Sequence, residues 1–341
     1  MDIYNFSGTY YEIGKQQGEI YKKRKSFLKS VKINKKIYDK QYEIYKKYYP
    51  EILDEFRGIS DSTGYKFENI FYGLTLCSKM SGCSIFGTKT SKGTYIGRNY
   101  DWTKKGGSGC IFSVKHNDKN SFVSISDNGV EEDGYAKKYH MFFGMDFINN
   151  KKLYIGLTYF HCDKKTFGLS MDHYMRLISE KCETVSEVLD IIKVTPLSEP
   201  KNFFISDKNG DMITVEHTTE MYKVIYPKDD IVIHTNHALS KHIEKFDTIN
   251  RKYPYHDSYV RYYEILMLLQ TFKKNINLSK IKNKILMNPK SYTYENFKTY
   301  GTLWSLIINW KRKEAIVYYK HNNKTKSVDL LKILVSIGTK I

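Results

Sequence analysis

The order of patterned blocks along the chain is the feature that most restricts its fold. Helical periodicity marks residues 10–60, 170–193 and 257–272, and the alternation and turn residues of strands mark residues 83–98, 110–126, 152–160, 202–236 and 302–319. Helices and strands that are gathered into separate blocks are typical of α+β layers, whereas one-by-one alternation is typical of a parallel sheet. We therefore predict an α+β fold.

Local signals support these blocks at several positions. In the first block, an apolar stripe with helical spacing comprises Ile37, Gln41, Ile44, Tyr45 and Tyr48. Thr184 and Glu187 have the spacing of a capping box, which predicts the start of a helix. Asn209 and Gly210 form the dipeptide preferred in tight hairpin turns, so they predict a hairpin there. Residues 273–298 are polar and show no clear pattern.

Length and cysteine usage are those of a globular cytoplasmic protein. At 341 residues the chain can bury a large core, and no run approaches the roughly 20 apolar residues that span a bilayer. Residues 1–8 lack the basic start and apolar centre of a signal peptide. The five cysteines are scattered and include no C-x-x-C pair, so we expect reduced thiols in the cytoplasm rather than a disulfide framework or a zinc ribbon.

The chain is strongly basic, with a formal net charge of +18. Lysine far outnumbers arginine, and tyrosine, isoleucine and asparagine are also abundant, which is the composition an AT-rich genome imposes rather than a focused binding patch. The densest charge lies in residues 22–47, where eleven basic residues stand against two acidic ones. The alternative to an enzyme is a catalytically silent basic protein that binds nucleic acid or an acidic membrane surface through this run.

A predicted hairpin that begins near residue 83 carries the strongest chemical signal. Cys83 follows Gly82 at the start of an apolar run, and Arg98 and Asp101 lie on the second strand, beyond a turn at residues 91–93. The hairpin would bring a cation and a carboxylate back towards the sulfur, and a neighbouring cation favours a thiolate. If the chain were cut before Cys83, the new α-amine could take the thiol proton, because such amines titrate at about 8.

Motifs in this hairpin and before it resemble those of a known group of enzymes. Gly82-Cys83-Ser84 and Gly97-Arg98-Asn99-Tyr100-Asp101 are similar to sequences of the choloylglycine hydrolase and isopenicillin N acyltransferase group of N-terminal-nucleophile (Ntn) cysteine hydrolases. Residues 11–18 and 49–59 look like the long pro-segment of the acyltransferase branch. The resemblance spans almost the whole chain and favours that branch.

The resemblance implies a fold and a domain organisation. The implied fold is the four-layer αββα sandwich of Ntn hydrolases, preceded by a helical pro-segment. Residues 1–82 would form the pro-segment, which becomes the small chain of a heterodimer, and residues 83–341 would form the catalytic domain. Autoproteolysis between Gly82 and Cys83 would separate the two chains and expose the catalytic amine.

The resemblance also assigns roles to five residues. The matching positions are Cys83 for the nucleophile, Arg98 for the arginine beside it, Asp101 for the carboxylate that holds the α-amine, Asn236 for the oxyanion donor and Arg261 for a second arginine. Asn236 belongs to a Thr-Asn pair and Arg261 to a Ser-x-x-Arg pattern, as the family motifs require. An oxyanion donor of this kind contributes about 3 kcal/mol to the transition state.

One position departs from the family pattern. Residues 156–160 align with a Gly-Leu-Asn-Phe stretch of bile-salt hydrolases whose asparagine contributes to the oxyanion hole, and this chain has Thr158 in its place. The resemblance therefore does not carry bile-salt specificity to this chain. Thr158 and Asn99 are candidates for contact with the oxyanion or the substrate. Residues 202–210 with Glu216, and residues 302–305, resemble structural signatures of the group.

The predicted reaction is the cleavage or formation of a linear, non-peptide amide through a thioester on Cys83. The substrate would be a small acyl amide, with an acyl-CoA as an alternative acyl donor, and the sequence leaves hydrolysis and acyl transfer open. No cofactor or metal is needed for this chemistry. His234 and His237 would point to opposite faces of a strand, and residues 161–163 lack a second pair of ligands, so neither set predicts a metal site.

Overall fold

Two β-sheets lie face to face in the computed structural model and form the centre of the fold. The structure describes residues 1–23, 33–75, 82–104, 109–127, 141–252, 256–294, 300–321 and 324–341. The eight-stranded sheet has the order β1 (Asp2–Gly8), β4 (Cys110–His116), β5 (Phe122–Ser126), β6 (Gly144–Asn149), β7 (Tyr154–Tyr159), β8 (Lys201–Ser206), β9 (Met212–His217) and β10 (Tyr222–Ile225). The six-stranded sheet has the order β11 (Ile231–His234), β2 (Gly82–Thr90), β3 (Gly93–Thr103), β12 (Tyr300–Asn309), β13 (Glu314–His321) and β14 (Lys324–Asp329).

Helices cover the outer faces of both sheets. In chain order they are α1 (Tyr10–Lys23), α2 (Lys35–Tyr48), α3 (Ile52–Thr63), α4 (Phe67–Thr75), α5 (Met171–Lys181), α6 (Val185–Val194), α7 (Lys241–Glu244), α8 (Ile249–Lys252), α9 (Ser258–Phe272), α10 (Leu278–Lys280) and α11 (Leu330–Ser336). Helix α5 packs on β6 and β7 of the larger sheet, and α9 and a π-helical segment, Ile281–Leu286, pack on the smaller sheet. The predicted α+β fold and the four-layer αββα sandwich are therefore confirmed.

The alternation of side chains along β2 and β3 divides the buried residues into two cores. Cys83, Ile85 and Tyr100 belong to the core between the two sheets, whereas Phe86 and Tyr95 belong to the core beneath α9. Successive residues of a strand point to opposite faces, so one hairpin supplies both cores. A residue on this hairpin therefore faces either the larger sheet or α9.

The sheets come close together at Gly87. A Cβ atom at this position would lie 2.5 Å from Met212 Sδ and 2.8 Å from a ring carbon of Phe204. Both contacts are shorter than van der Waals separation, so a larger residue would push β2 away from β8 and β9. Gly87 thus sets the distance between the sheets on the strand that carries Cys83.

The N-terminal part of the chain is built into the sandwich. Strand β1 pairs in parallel with β4, so it extends the larger sheet at one edge. The sequence pattern did not predict this strand, because Phe6 is its only fully buried residue and the alternation is too weak to detect. Helices α1 to α3 confirm the helical prediction for 10–60 where it is described, and residues 24–32 lie outside the described part.

Most other predicted elements agree with the structure. The hairpin of β2 and β3, the capping box of Thr184 with Glu187 and the turn at Gly210 are all present. The predicted stripe of α2 is shifted, because Tyr38 is buried with Gln41 and Tyr45, whereas Ile37, Ile44 and Tyr48 are only half-buried. Strands β6 and β14, helices α4, α7, α8, α10 and α11, and the π-helical segment were not predicted. None of the helices in the described ranges is both long enough and apolar enough to cross a membrane.

Candidate active site

Cys83 lies near the start of β2 and is fully buried. Its cross-strand neighbour is Tyr100, and the next pair on the same face is Ile85 with Arg98. The side chains of Cys83, Tyr100 and Arg98 therefore share the face of the smaller sheet that is turned towards the larger one. The hydroxyl of Tyr100 donates a hydrogen bond of 2.7 Å to Asp127. The structure thus brings the predicted arginine to the face that carries the thiol.

Arg98 is fixed by a buried ion pair. Its Nε donates to Asp146 at 2.7 Å and its Nη1 donates to the carbonyl of Leu157 at 2.6 Å. Burial opposes the charged form, but the Asp146 carboxylate and a charge on the Cys83 sulfur together raise the pKa of Arg98 above its ordinary value. Arg98 is therefore a permanent cation on the face of the sheet that carries the sulfur. Its buried Nη2 has no hydrogen-bond partner among the described residues.

Asp101 lies on the other face of β3, opposite Gly82. Its Oδ1 accepts a hydrogen bond of 2.6 Å from the Thr302 hydroxyl, and its Oδ2 is buried without a hydrogen-bond partner in the described part of the chain. Burial raises the pKa of Asp101 to about 6, although the charge of Arg261 and the hydrogen bond from Thr302 act in the opposite direction. The site therefore contains a buried carboxylate oxygen that could accept a hydrogen bond from a group beside Gly82.

Asn236 and Arg261 surround the backbone of Cys83. The Oδ1 atom of Asn236 accepts from the Cys83 backbone N–H at 3.0 Å and from Arg261 Nη2 at 2.8 Å. Arg261 Nη1 donates both to the Cys83 carbonyl and to the Ser84 hydroxyl. The Nδ2 group of Asn236 donates to the carbonyl of Tyr159 at 3.0 Å. Two distant predicted residues thus meet at the nitrogen and the carbonyl of the candidate nucleophile.

The first turn of α9 positions both of these side chains. Ser258 and Arg261 are three residues apart, so they lie on the same buried face of the helix. The Ser258 hydroxyl accepts from the backbone N–H of Asn236 at 2.8 Å, which fixes the loop after β11. Asp257 accepts from Arg261 Nε at 2.9 Å and balances its charge. In the Ser-x-x-Arg pattern, the serine therefore fixes the backbone of Asn236, and the arginine contacts the side-chain amide of Asn236 directly.

Thr158 lies on β7, next to the carbonyl that Asn236 contacts. Its hydroxyl accepts from Asn202 Nδ2 at 3.3 Å and lies 3.5 Å from His234 Nδ1. The other ring nitrogen of His234 lies 3.1 Å from a Glu216 oxygen. Asn202, from the family signature at 202–210, thus contacts Thr158 directly, and Glu216 contacts the histidine that lies next to it. Its contact with an oxyanion stays a prediction.

Asn99 is occupied on the face of β3 that carries Asp101. Its Nδ2 donates to the carbonyls of Leu286 and Thr293, and its Oδ1 accepts from the Ser305 hydroxyl at 2.6 Å. These contacts fasten the π-helical segment and the loop after it to the sheet. The structure therefore does not place Asn99 on the face of the thiol, and substrate contact by this residue stays a prediction.

Asp146 is the site residue that the sequence interpretation missed. It accepts hydrogen bonds from Arg98, from Tyr154 and from Trp304 Nε1, the last at 2.9 Å, and it is buried. The sequence feature that could have revealed Asp146 is its position inside the apolar run 141–148. An aspartate in such a run is expected to be buried, and a buried charge requires a partner. Trp304 also stacks on the ring of Tyr100, with the ring centroids 4.1 Å apart. The signature at 302–305 therefore contacts both faces of the hairpin, through Thr302 at Asp101 and through Trp304 at Asp146.

The histidines near the site are engaged in hydrogen bonds. His234 faces Glu216, whereas His237 Nδ1 lies 2.8 Å from the Ser258 hydroxyl. In the part of the chain that the structure describes, no group of His, Cys, Asp and Glu is arranged to hold a metal ion.

The chain is similar to known proteins in sequence and in fold. The family model described as acyl-coenzyme A:6-aminopenicillanic acid acyl-transferase matches residues 88–324, a stretch that begins after Cys83. Two variants of the conjugated bile acid hydrolase from Clostridium perfringens superpose with a TM-score of 0.52 at 15 % identity, over 73 % of this chain and 93 % of that chain. Penicillin V acylase from Agrobacterium tumefaciens gives a TM-score of 0.46 at 14 % identity, over 73 % of this chain and 86 % of that chain.

No curated protein sequence matches the chain. The bile acid hydrolase shares the fold, and the family model covers more than half of the sequence. The resemblance inferred from the motifs is therefore confirmed at the level of the Ntn-type hydrolases and acyltransferases. The chain belongs to the acyl-coenzyme A:6-aminopenicillanic acid acyl-transferase family.

Proposed function

We propose that the protein is a cysteine amidase or acyltransferase that acts on linear, non-peptide amides and is activated by cleavage before Cys83. The proposal rests on two features that meet where Gly82 joins Cys83. Asn236 and Arg261 hold the backbone of Cys83, and the buried Oδ2 of Asp101 has no hydrogen-bond partner in the described chain beside Gly82. A free α-amine at Cys83 would give that oxygen a charged donor.

Activation requires an exchange of bonds at the peptide between Gly82 and Cys83. The Cys83 sulfur adds to the Gly82 carbonyl carbon, and the bond from that carbon to the Cys83 nitrogen then breaks. The acyl group is left on sulfur and the nitrogen takes the thiol proton. Water cleaves this thioester and gives a carboxylate at Gly82, a free thiol and the α-amine. Residues 1–82 would become the small chain and residues 83–341 the catalytic chain.

The same groups would then act on the substrate. The α-amine, held by Asp101, takes the proton of the thiol, and the sulfur attacks the amide carbonyl of the substrate. Arg98 favours the thiolate, and Asn236 with Thr158 and backbone N–H groups stabilises the oxyanion. The proton returns to the leaving amine, and the acyl group remains on sulfur. Water completes hydrolysis, whereas an amine completes transfer, and an acyl-CoA would load the sulfur by exchange with its own thioester.

Mass spectrometry of the purified protein tests the activation step. We expect a fragment that begins at Cys83, and we expect that Cys83→Ala leaves the chain intact and inactive. Cys182→Ala is the matched control, because Cys182 is also buried but lies at the end of α5. An intact wild-type chain whose activity survives Cys83→Ala would exclude the proposal. Cleavage that starts only after a partner is added would support the activation step and show that it is regulated.

A substrate panel tests the reaction class. The processed protein is incubated with N-acyl amino acids, acylated amines, penicillins and conjugated bile salts, with and without an added amine. Release of free acid without the amine indicates hydrolysis, and a new amide with it indicates transfer. We expect activity against acyl amides with Cys83 acylated in turnover, which trapping by acid quench and mass spectrometry would detect. Turnover without any acyl-Cys83 would contradict the thioester route.

A further inference from the structure

Helix α9 is apolar on more than its buried face. Ser258, Arg261, Ile265 and Leu269 form the face that contacts the smaller sheet. Arg261 is buried there and paired with Asp257, so Glu264 is the one charged residue on the remaining surface of the helix. A surface helix normally places charged and polar residues on its outer face. The composition of α9 is therefore that of a helix with a second apolar contact.

The outer face of α9 exposes a contiguous apolar patch. Val260, Tyr263 and Met267 are 45 %, 64 % and 58 % exposed, and they lie on one stripe of the helix. Tyr292, which is 60 % exposed, lies beside them because its backbone N–H donates to Glu264 at 2.9 Å. These four residues are called the α9 patch. Exposed apolar patches of this kind mark interaction surfaces.

Positive charge follows the α9 patch along the chain. Between Glu264 and Glu295 the sequence has no acidic residue and has six lysines, at positions 273, 274, 280, 282, 284 and 290. Lys284 and Lys290 are exposed, and Lys290 lies two residues before Tyr292. The carboxylate of Glu264 accepts hydrogen bonds from Ser291 and Tyr292, so its charge is partly compensated. The patch is therefore adjacent to a basic segment.

We propose that the α9 patch docks on a membrane surface that contains anionic lipids. Tyrosine, valine and methionine would enter the boundary between headgroups and acyl chains, and the lysines would contact the acidic headgroups. A second copy of the chain fits this surface less well. In a two-fold symmetric dimer the same surface meets itself, so two copies of the basic segment would lie at one interface and repel each other.

The position of α9 connects this surface with the candidate site. Arg261 extends from the buried face of the helix to the carbonyl of Cys83, while Val260 and Tyr263 lie on the outside of the same two turns. Docking would therefore bring the bilayer next to the layer that holds the site. This connection rests on the proposed function and predicts substrates with a long apolar acyl chain. The docking itself does not depend on Cys83.

Vesicle flotation with the full chain tests the docking. The protein is mixed with vesicles of phosphatidylcholine alone or of phosphatidylcholine with phosphatidylglycerol, and the bound fraction is measured at low and high salt. We expect binding to the anionic vesicles that falls as salt rises. The triple variant Val260→Ser, Tyr263→Ser, Met267→Ser should bind at least about tenfold more weakly. Lys284→Gln and Lys290→Gln should each weaken binding about fivefold.

Matched control variants distinguish binding through the α9 patch from non-specific binding by exposed apolar residues and from any effect of catalysis. Val194→Ser and Tyr226→Ser remove apolar residues that are 67 % and 65 % exposed elsewhere, and they should bind vesicles as the wild type does. Cys83→Ala should also bind normally, so loss of the proposed function would leave this result unchanged. Equal binding to neutral and anionic vesicles, or equal loss in the control variants, would overturn the proposal. A concentration-dependent dimer that the triple variant abolishes would assign the patch to a second copy instead.

Discussion

At the scale of single residues, the hairpin of β2 and β3 separates two tasks by face. Cys83 and Arg98 face the larger sheet, where Asp146 completes an ion pair, and Asp101 faces α9, where Arg261 contacts the Cys83 carbonyl. One cation thus lies on the face that carries the thiol, while Arg261 and Asn236 contact the backbone of Cys83 on the side where the buried Asp101 lies. Residues three apart on a strand point to opposite faces, so Arg98 and Asp101 lie on different sides of the hairpin that carries Cys83.

The buried carboxyl of Asp101 should make the uncleaved protein sensitive to pH. Its pKa rises from 3.8 to about 6 on folding, because burial disfavours the charged form. A raised pKa stabilises the folded state fully below pH 3.8, and this contribution is lost as the pH rises through about 6. Its loss amounts to about 3 kcal/mol at neutral pH.

Asp101→Asn in a Cys83→Ala background tests this contribution. The amide keeps an acceptor for Thr302 and cannot ionise, so the variant should gain stability over its parent by about 2 to 3 kcal/mol at pH 8 and by little at pH 4. Urea unfolding at several pH values measures the difference. Asp118→Asn is the control, because Asp118 is exposed and should show little dependence on pH. A constant difference between Asp101→Asn and its parent at all pH values would refute the assignment.

The ion pair between Arg98 and Asp146 should behave as a unit. Asp146→Asn leaves a buried guanidinium without its counter-ion, so the variant should lose about 3 to 5 kcal/mol of stability. Replacing both members, by Arg98→Met with Asp146→Leu, should cost less than the sum of the single changes, because no charge is left unpaired. Urea unfolding of the four proteins gives the coupling. Additive losses would mean that the pair does not hold Arg98 in place.

The sequence predicted these residues unevenly, for a physical reason. Cys83, Arg98 and Asp101 lie on one hairpin, whose register follows from local alternation and a turn, so their proximity could be predicted. Asn236 and Arg261 were found through family motifs and not from spacing. Asp146 was missed because pairing between sheets depends on how the layers stack. A buried charge in an apolar run shows that a partner exists but does not identify it.

At the scale of elements, the close contact of α1 and α3 sets the shape of the N-terminal part. A Cβ atom at Gly58 would lie 2.1 Å from the carbonyl oxygen of Tyr11, and one at Gly14 would lie 2.0 Å from that of Glu55. Backbone atoms cannot move aside as flexible side chains do, so these glycines let the two helices pack directly against each other. The helices themselves were predictable from periodicity, but this packing distance was not.

Gly58→Ala should therefore separate the two helices. We expect a loss of about 1 to 3 kcal/mol from overpacking, although alanine is the better helix former. Thermal and urea unfolding measure the change. Glu19→Ala is a suitable control, because Glu19 is exposed on α1 and the substitution should be neutral or slightly stabilising. Stabilisation by Gly58→Ala would show that the helices can move apart at little cost.

At the scale of the whole molecule, a buried polar network joins the N-terminal part to the sandwich. Arg176 on α5 pairs with Glu55 on α3, through Nη1 at 2.7 Å, and with Glu180 through Nε at 2.8 Å. The hydroxyls of Tyr10 and Tyr49 both donate to Glu180 Oε2 at 2.5 Å. A segment that is only a detachable cover would not place ion pairs and tyrosines inside the core. Residues 1–82 should therefore stay bound after a cut at Cys83.

Native mass spectrometry of the cut protein tests whether the two chains stay associated. If processing is slow, residues 1–82 and 83–341 can be co-expressed as separate chains and measured in the same way. Burial opposes ionisation of Glu180, but Arg176 and His116 more than offset it and hold its pKa well below the ordinary value of 4.5. Because the pKa of Glu180 is lowered, its ionised form stabilises the complex above about pH 4.5, and this contribution falls as the pH falls further. The chains should therefore remain associated at neutral pH and separate in acid.

Glu55→Ala leaves Arg176 partly unpaired in the core and should weaken the association by about 3 kcal/mol or more. Glu43→Ala, which removes an exposed carboxylate from the same chain, should have little effect, and release of the small chain from the wild type at neutral pH would contradict the prediction.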